Sequence, residues 1–267
     1  MISYLVRRFQ DLSETPGGEL PPNLLSPAET ALWRSFRFEK RRREWLLGRW
    51  TAKLLLQDYV LQMTGVELPL DCLQIRRAPD GAPLVELSGL AGRGLPLPAF
   101  RSLSISHSHG AAFCAITDEP GWRIGADMER VEPRPRGFAA DYFTRDEQDR
   151  LDRAPRELRE TYVTAVWSGK EAVLKALRRG LTVDTAGVRC GIDPAYQEQE
   201  EWQPFFIDLE PALVAGAPRG ERFFWVGWWR PWSDYVLTLA AGKALLPVMQ
   251  PLPLIRSAAP AWCFESV

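Results

Sequence analysis

Two helical stretches, each followed by β-hairpin material, constrain this chain more than any other feature. The first runs from Lys40 to about Thr64 and is amphipathic, with Trp45, Leu46, Trp50, Leu54 and Leu61 among its apolar positions. The second runs from about Glu160 to Arg178, is free of proline and rich in helix formers, and has Gly180 where a helix would stop. Leu46-Leu47-Gly48-Arg49 aligns with Trp167-Ser168-Gly169-Lys170, so a faint internal repeat covers both stretches. The expected fold is therefore α+β, made of two similar halves related by a pseudo-twofold axis. Each half would be a long helix packed on a small antiparallel sheet. The halves are expected at residues 1–121 and 122–245, and the proline-containing tail, 246–267, is expected to wrap the surface.

Around these helices the coarse pattern alternates short strands with turn chemistry. Ile2 to Val6 reads as a strand, and Thr15 to Pro22 as a loop. A short helix follows from Leu24 to about Ser35, opened by Ser26-Pro27-Ala28-Glu29, with a Ser cap, Pro at the first position and Glu at the third. Strands near Leu73–Arg77 and Pro83–Leu87 flank the turn Pro79-Asp80-Gly81, and Gly89 to Pro98 is a loop. Strands follow at Ser102–Ser106, Ala111–Thr117 and Trp122–Glu129. Beyond the connector Val131–Arg136, a helical region runs from Asp141 to about Asp152. Further strands are expected near Thr185–Val188, Trp202–Leu209, Phe223–Trp229 and Tyr235–Ala240.

Several functions are disfavoured at once. A net charge of −1 over 267 residues does not suit a generic nucleic-acid binder. Cys72, Cys114, Cys190 and Cys263 lie far apart, and with only two histidines they resemble no zinc site. Such cysteines suit free thiols in a reducing compartment. The start lacks the order of a signal peptide, and no run is long enough to span a bilayer, so the expected location is cytoplasmic.

Three short segments carry chemistry. In Ile124-Gly125-Ala126-Asp127-Met128-Glu129, strand alternation points Asp127 and Glu129 to one side, and Gly125 permits a close approach. On the second long helix, Trp167, Glu171, Leu174 and Lys175 share one broad stripe. Glu171 and Lys175 alone would read as an ordinary surface pair. Together with Asp127 and Glu129, however, three oxygen donors can converge on a hard cation, which is magnesium chemistry. The third segment is Ser102-Leu103-Ser104-Ile105-Ser106-His107-Ser108-His109-Gly110, which holds both histidines of the chain. No G-x-S-x-G elbow accompanies it, so a serine hydrolase is set aside. Hydroxyls, imidazoles and backbone N–H groups at a strand end suit a phosphate.

Taken in order, S-I-S-H-S, I-G-x-D-x-E and W-S-x-K-E-A-x-x-K resemble the signatures of the 4′-phosphopantetheinyl transferases. The length and doubled architecture resemble the large, pseudo-dimeric surfactin-type branch rather than the short trimeric one. The resemblance implies coenzyme A in the cleft between the halves, its pyrophosphate on a magnesium ion. Asp127 and Glu171 match the principal metal ligands and Glu129 a third. Lys175 matches the lysine that contacts the pyrophosphate. His107, with Ser104 to Ser106, matches the segment at the nucleotide end, Arg77 a basic residue near the adenosine, and Arg49 the L-L-G-R segment. Two positions depart from the family: Ala82 and Leu32 stand where many or some members carry a basic residue. Arg34, Arg37, Lys40 or the run Arg41–Arg43 are the candidates to replace them.

The resemblance further implies transfer of the phosphopantetheine arm from coenzyme A to a serine of an apo acyl or peptidyl carrier protein. Adenosine 3′,5′-bisphosphate would be released. Glu171, alone or through a metal-bound water, is the candidate base, and the implied protein is a monomer without nucleic-acid or membrane partners. Carrier proteins of this kind are acidic, so the basic run Lys40–Arg43 is a candidate contact, as is the aromatic run Phe223–Trp229. The rival is a magnesium-dependent phosphodiesterase or nuclease using the same three carboxylates. Such nucleases usually place a lysine two residues beyond the second acid, where this chain has Val131.

Overall fold

The structure is a computed structural model that describes residues 1–12, 23–87, 102–179, 183–193, 201–213, 223–244 and 255–257. The expected loops at Thr15–Pro22 and Gly89–Pro98, and Gly180, lie outside these residues. Two compact units emerge, one comprising Met1–Pro120 with Leu252–Val267 and the other Gly121–Pro251.

In the first unit, strand β1 (Ile2–Arg8) leads to a short helix α1 (Pro27–Ser35) and then to the long helix α2 (Glu39–Thr64). A hairpin of β2 (Leu73–Arg77) and β3 (Pro83–Leu87) follows, and then a second hairpin of β4 (Ser102–Ser108) and β5 (Ala111–Thr117). The β4–β5 turn is His109-Gly110, both with positive φ, the two-residue geometry that matches strand twist. His109 is thus a turn residue. The main sheet has the order β11-β1-β5-β4, where β11 (Ile255–Ser257) comes from the tail and pairs in parallel with β1. The sequence pattern held no sign of this strand.

Helix α2 departs from the expected amphipathic pattern. Its first turns are charged, but from Leu46 to Val60 most side chains are buried. Leu47, Trp50 and Leu55 join Leu5, Leu103, Cys114 and Ile116 in one core. A helix buried on most of its circumference needs few polar positions, and the buried charge among them, Lys53, is discussed below. Gly65, with φ of 72°, closes the helix in the left-handed conformation.

The second unit repeats this order: strand β6 (Trp122–Arg130), short helices α3 (Phe138–Tyr142) and α4 (Arg145–Arg153), and the long helix α5 (Arg159–Leu177). Strands β7 (Val188–Gly191), β8 (Gln203–Leu209), β9 (Phe223–Trp232) and β10 (Tyr235–Ala244) complete it, in the sheet order β6-β10-β9-β8-β7. The first strand and the last hairpin are therefore arranged alike in both units, β1-β5-β4 and β6-β10-β9. The helical region expected over Asp141–Asp152 is two helices, because Thr144 restarts the chain with its own cap. Thr185–Gly187, expected within a strand, is a 3-10 turn capped by Asp184, and β7 begins only at Val188. Helix α5 ends at Leu177 with Arg178 as its left-handed cap, φ 59°.

The aromatic run of β9 is packed through glycines. A Cβ at Gly227 would lie 2.3 Å from the Phe205 ring, and one at Gly242 would lie 2.3 Å from the Trp225 ring. Both bare backbones are floors for aromatic rings. Trp229 is buried and Phe224 is exposed, so the two faces of this strand differ. Among the described residues, no helix is long and apolar enough to cross a membrane.

Candidate active site

Close approach of α5 to β6 builds the site. A Cβ on Gly125 would stand 1.7 Å from the carbonyl oxygen of Ala172, so only glycine lets the helix lie this near the strand. Two residues on, Asp127 shares the Gly125 face, while on α5 Ser168, Ala172 and Lys175 follow at helical spacing. The carboxylate of Asp127 is consequently almost wholly buried between strand and helix. Its Oδ1 accepts from Lys175 Nζ at 2.7 Å and its Oδ2 from Ser168 Oγ at 2.8 Å. Lys175 also donates to the Ala126 carbonyl at 3.1 Å, which ties the end of α5 to β6.

Glu129 and Glu171 complete the acidic group. Glu129 accepts from Arg134 Nη2 at 3.0 Å, within the connector after β6. Burial pushes its carboxyl up and the charge of Asp127 adds to this, while Arg134 and Lys175 oppose. Glu171 is pushed up to about 7, first by burial and then by Asp127, with a further push from Glu129 and only Lys175 opposing. Its Oε1 is buried and has no hydrogen-bond partner among the described residues. A buried carboxylate oxygen with no donor is costly in any protein.

Among the described residues, no three His, Cys, Asp or Glu side chains stand close enough to hold one metal ion where they are. The donor set still fits a hard divalent cation. It consists of oxygens only, one of them lacks a donor among the described residues, and two of the three carboxyls are driven toward protonation, first by burial and then by their neighbours' charge. A cation among them would satisfy the first deficit and relieve the second.

The remaining sequence candidates lie in the first unit. Strand alternation in β4 puts Ser104 and Ser106, both buried, on one face, and Ile105 and His107 on the other. His107 lies along α2, where a Cβ added to Gly48 would be 3.7 Å from its ring and 3.2 Å from Ile105. The segment S-I-S-H-S therefore presents serine and imidazole on opposite sides. Arg77 is exposed at the end of β2 and folds over the turn at Gly81, whose φ is 87°. Arg49 points inward. Its side chain is 12% exposed, its Nε is 3.9 Å from Glu29 Oε1, and its guanidinium stacks over Trp45. Burial lowers its pKa, with Glu29 opposing.

Reading the sequence missed the buried pair Lys170–Glu147, 2.8 Å apart with both side chains fully buried. Glu147 caps α4 with Thr144 and also accepts the Cys190 backbone N–H at 2.7 Å. Lys170 donates to the carbonyls of Thr185 and Val188. The capping pattern Thr144-x-x-Glu147 was the available signal for Glu147. Ser168 and Thr238 were also missed, and only the strand register brings Thr238 to Asp127.

Comparison with known proteins agrees with the sequence resemblance. Residues 123–212 match the model of the 4′-phosphopantetheinyl transferase superfamily. The chain is 29% identical over 147 residues to the 4′-phosphopantetheinyl transferase psf-1 of Bacillus pumilus, a match that spans 55% of each. Among solved structures, it is similar to the ACPS–CoA complex of Chronobacterium ammoniagenes, with 15% identity and a TM-score of 0.37. That match covers 47% of this chain and 98% of the other. The holo-[acyl-carrier-protein] synthase of Neisseria meningitidis is similar at 19% identity and a TM-score of 0.35, over 45% of this chain and 97% of the other.

Proposed function

We propose that this chain, whose residues 123–212 match the 4′-phosphopantetheinyl transferase superfamily, moves phosphopantetheine from coenzyme A to a carrier-protein serine. Adenosine 3′,5′-bisphosphate is the other product. The observation that carries the reading is the buried Oε1 of Glu171, without a hydrogen-bond partner among the described residues, beside the carboxylates Asp127 and Glu129, with Lys175 against Asp127. Oxygen donors next to an ammonium suit a pyrophosphate with its divalent cation.

Asp127, Glu129 and Glu171 are the residues that would hold magnesium. When bound, the ion offsets charge on the pyrophosphate as the phosphoryl group is transferred. Lys175 places a positive charge, already fixed by Asp127 and the Ala126 carbonyl, near the oxygens of the leaving nucleotide. The serine oxygen forms its bond to the pantetheine-side phosphorus as the bond to the bridging oxygen breaks. Glu171, alone or through a water, is the group proposed to take the serine proton. His107 and Arg77 are assigned to the nucleotide end by resemblance alone. The basic run Lys40–Arg43 is the proposed contact for an acidic carrier.

The test is intact-mass spectrometry of an apo carrier protein incubated with this chain, coenzyme A and magnesium. A gain of one phosphopantetheine is expected, lost with chelator and reduced about 10³-fold or more in Asp127→Ala and Glu171→Gln. No gain across fatty-acid, polyketide and peptidyl carriers, with coenzyme A cleaved on its own, would replace this reading with phosphodiester hydrolysis.

A further inference from the structure

Asp127 is held from a side that the proposed reaction does not use. Ser168, at 0% exposure on α5, donates from Oγ to Asp127 Oδ2 at 2.8 Å. Thr238, also at 0% exposure on β10, lies directly opposite Asp127 in the strand register and has its Oγ1 2.8 Å from Ser168 Oγ. A hydroxyl has one proton. Because Ser168 gives its proton to the carboxylate, it must accept in its contact with Thr238, so Thr238 is the donor there. Thr238 Oγ1 also lies 3.5 Å from the Asp127 backbone carbonyl, a much longer contact than the 2.8 Å to Ser168, so the chain of donation runs from Thr238 to Ser168 to Asp127.

This is an unusual use of a helical hydroxyl. Thr51 and Thr64 on α2 follow the common pattern and donate to the carbonyl four residues back, at 2.8 Å each. Ser168 instead reaches across to a strand. The close approach permitted by Gly125 makes that reach possible. With Oδ2 held by a neutral hydroxyl and Oδ1 by Lys175, the two carboxylate oxygens cannot exchange roles by rotation about the terminal bond.

We propose that Ser168 and Thr238 form a hydroxyl relay that orients Asp127, keeping Oδ1 turned toward Lys175 and the metal–pyrophosphate site. They are positioning residues, and the inference rests on the function proposed above. Partners that orient a ligating group typically change metal affinity about 10–100-fold when removed. The relay predicts a graded series: loss of the hydroxyl next to Asp127 costs most, and loss of the distal one costs less.

The experiment measures Mn²⁺ binding to the full chain by electron paramagnetic resonance, without coenzyme A, alongside kcat and KM for transfer. Ser168→Ala is expected to weaken Mn²⁺ binding about tenfold or more and to lower kcat, with KM for the carrier unchanged. Thr238→Val, which removes a hydroxyl but keeps the shape, should move both in the same direction by less. Thr238→Ser, which restores the donor, should match the wild type. Should Ser168→Ala fail to fold, the Thr238 pair carries the test alone. Mn²⁺ bound equally by wild type, Ser168→Ala and Thr238→Val would overturn the relay while leaving the transfer reaction standing. A wild-type chain that neither binds Mn²⁺ nor transfers would overturn the proposed function and the relay with it.

Discussion

The two units solve one problem in the same way and then diverge. Each roots its long helix with a buried lysine paired to the capping glutamate of the short helix before it. In the first unit Lys53 Nζ is 2.5 Å from Glu29 Oε2 and donates to the carbonyls of Leu24 and Leu70. Glu29 closes the cap box with Ser26 and accepts the Ile75 N–H of β2 at 3.1 Å. In the second unit Lys170, Glu147, Thr144 and the Cys190 N–H of β7 do the same. One carboxylate thereby ties together a helix start, a helix middle and a strand. Every polar atom of the lysine head finds an acceptor, which is what makes a buried charge tolerable.

The divergence lies at the helix positions that follow the aligned glycines. Counting from Gly48 and Gly169, α2 carries Trp50 and Leu54 where α5 carries Glu171 and Lys175. The first helix spends these positions on core packing, since both are buried. The second turns them toward Asp127 and Glu129. The shared root also differs by one turn, with Lys53 five residues after its glycine and Lys170 one after. Arg49 stands at the aligned position of Lys170 and also faces Glu29, so both cations of the first unit are drawn to the same carboxylate. The two units thus share the anchoring, and among the described residues the acidic group of Asp127, Glu129 and Glu171 belongs to the second.

The sharpest way to break this comparison is the glycine at the helix–strand contact. Gly125→Ala would place its Cβ against backbone 1.7 Å away and should prevent native packing of α5 on β6. Gly48→Ala meets only side chains, the nearest at 3.2 Å, and gains helix propensity, so it should change stability by no more than about 1 kcal/mol. Chemical denaturation of both variants checks this. Equal losses would show that the two units do not differ as described.

Next in size are the buried lysines. Lys170→Ala leaves the buried Glu147 without its paired cation, which costs about 3–5 kcal/mol, whereas Lys53→Ala leaves Glu29 with Arg49 still 3.9 Å away and should cost less. Denaturant midpoints should fall for both, whereas weakened Mn²⁺ binding should accompany only Lys170→Ala, whose neighbour is Glu171. The double replacement Glu147→Leu with Lys170→Met should recover only part of the stability, because it removes both charges together but leaves the Thr144 and Cys190 N–H groups without their acceptor.

The smallest effect is a pH dependence. Glu171 has a folded pKa of about 7 against an ordinary 4.5, so between these values the folded chain binds more protons than the unfolded one. Its stabilising contribution is complete below about pH 4.5 and is lost as pH rises through 7. In chelator, the thermal midpoint should therefore drop about 2–5 °C more between pH 5 and pH 8 in the wild type than in Glu171→Gln. No counterpart is expected in the first unit, where Trp50 occupies the aligned position. A midpoint that rises over this range would refute the assignment.

Much of this molecule was legible from its residues, for reasons of local physics. Helical period, cap chemistry and turn residues act within a few positions, so the long helices, the Ser26 cap and the Asp80-Gly81 turn could be read directly. The D-x-E alternation and the E-x-x-x-K spacing likewise put the right groups on one face of each element before any contact was known. What local rules cannot express is which faces meet. Only the tertiary structure pairs Thr238 with Asp127, turns Ser168 away from its own helix, buries Lys170 on Glu147, draws Arg49 inward, and brings residues 255–257 to the edge strand β1. Each of these depends on a long-range approach, and at the candidate site that approach is set by the missing Cβ of Gly125.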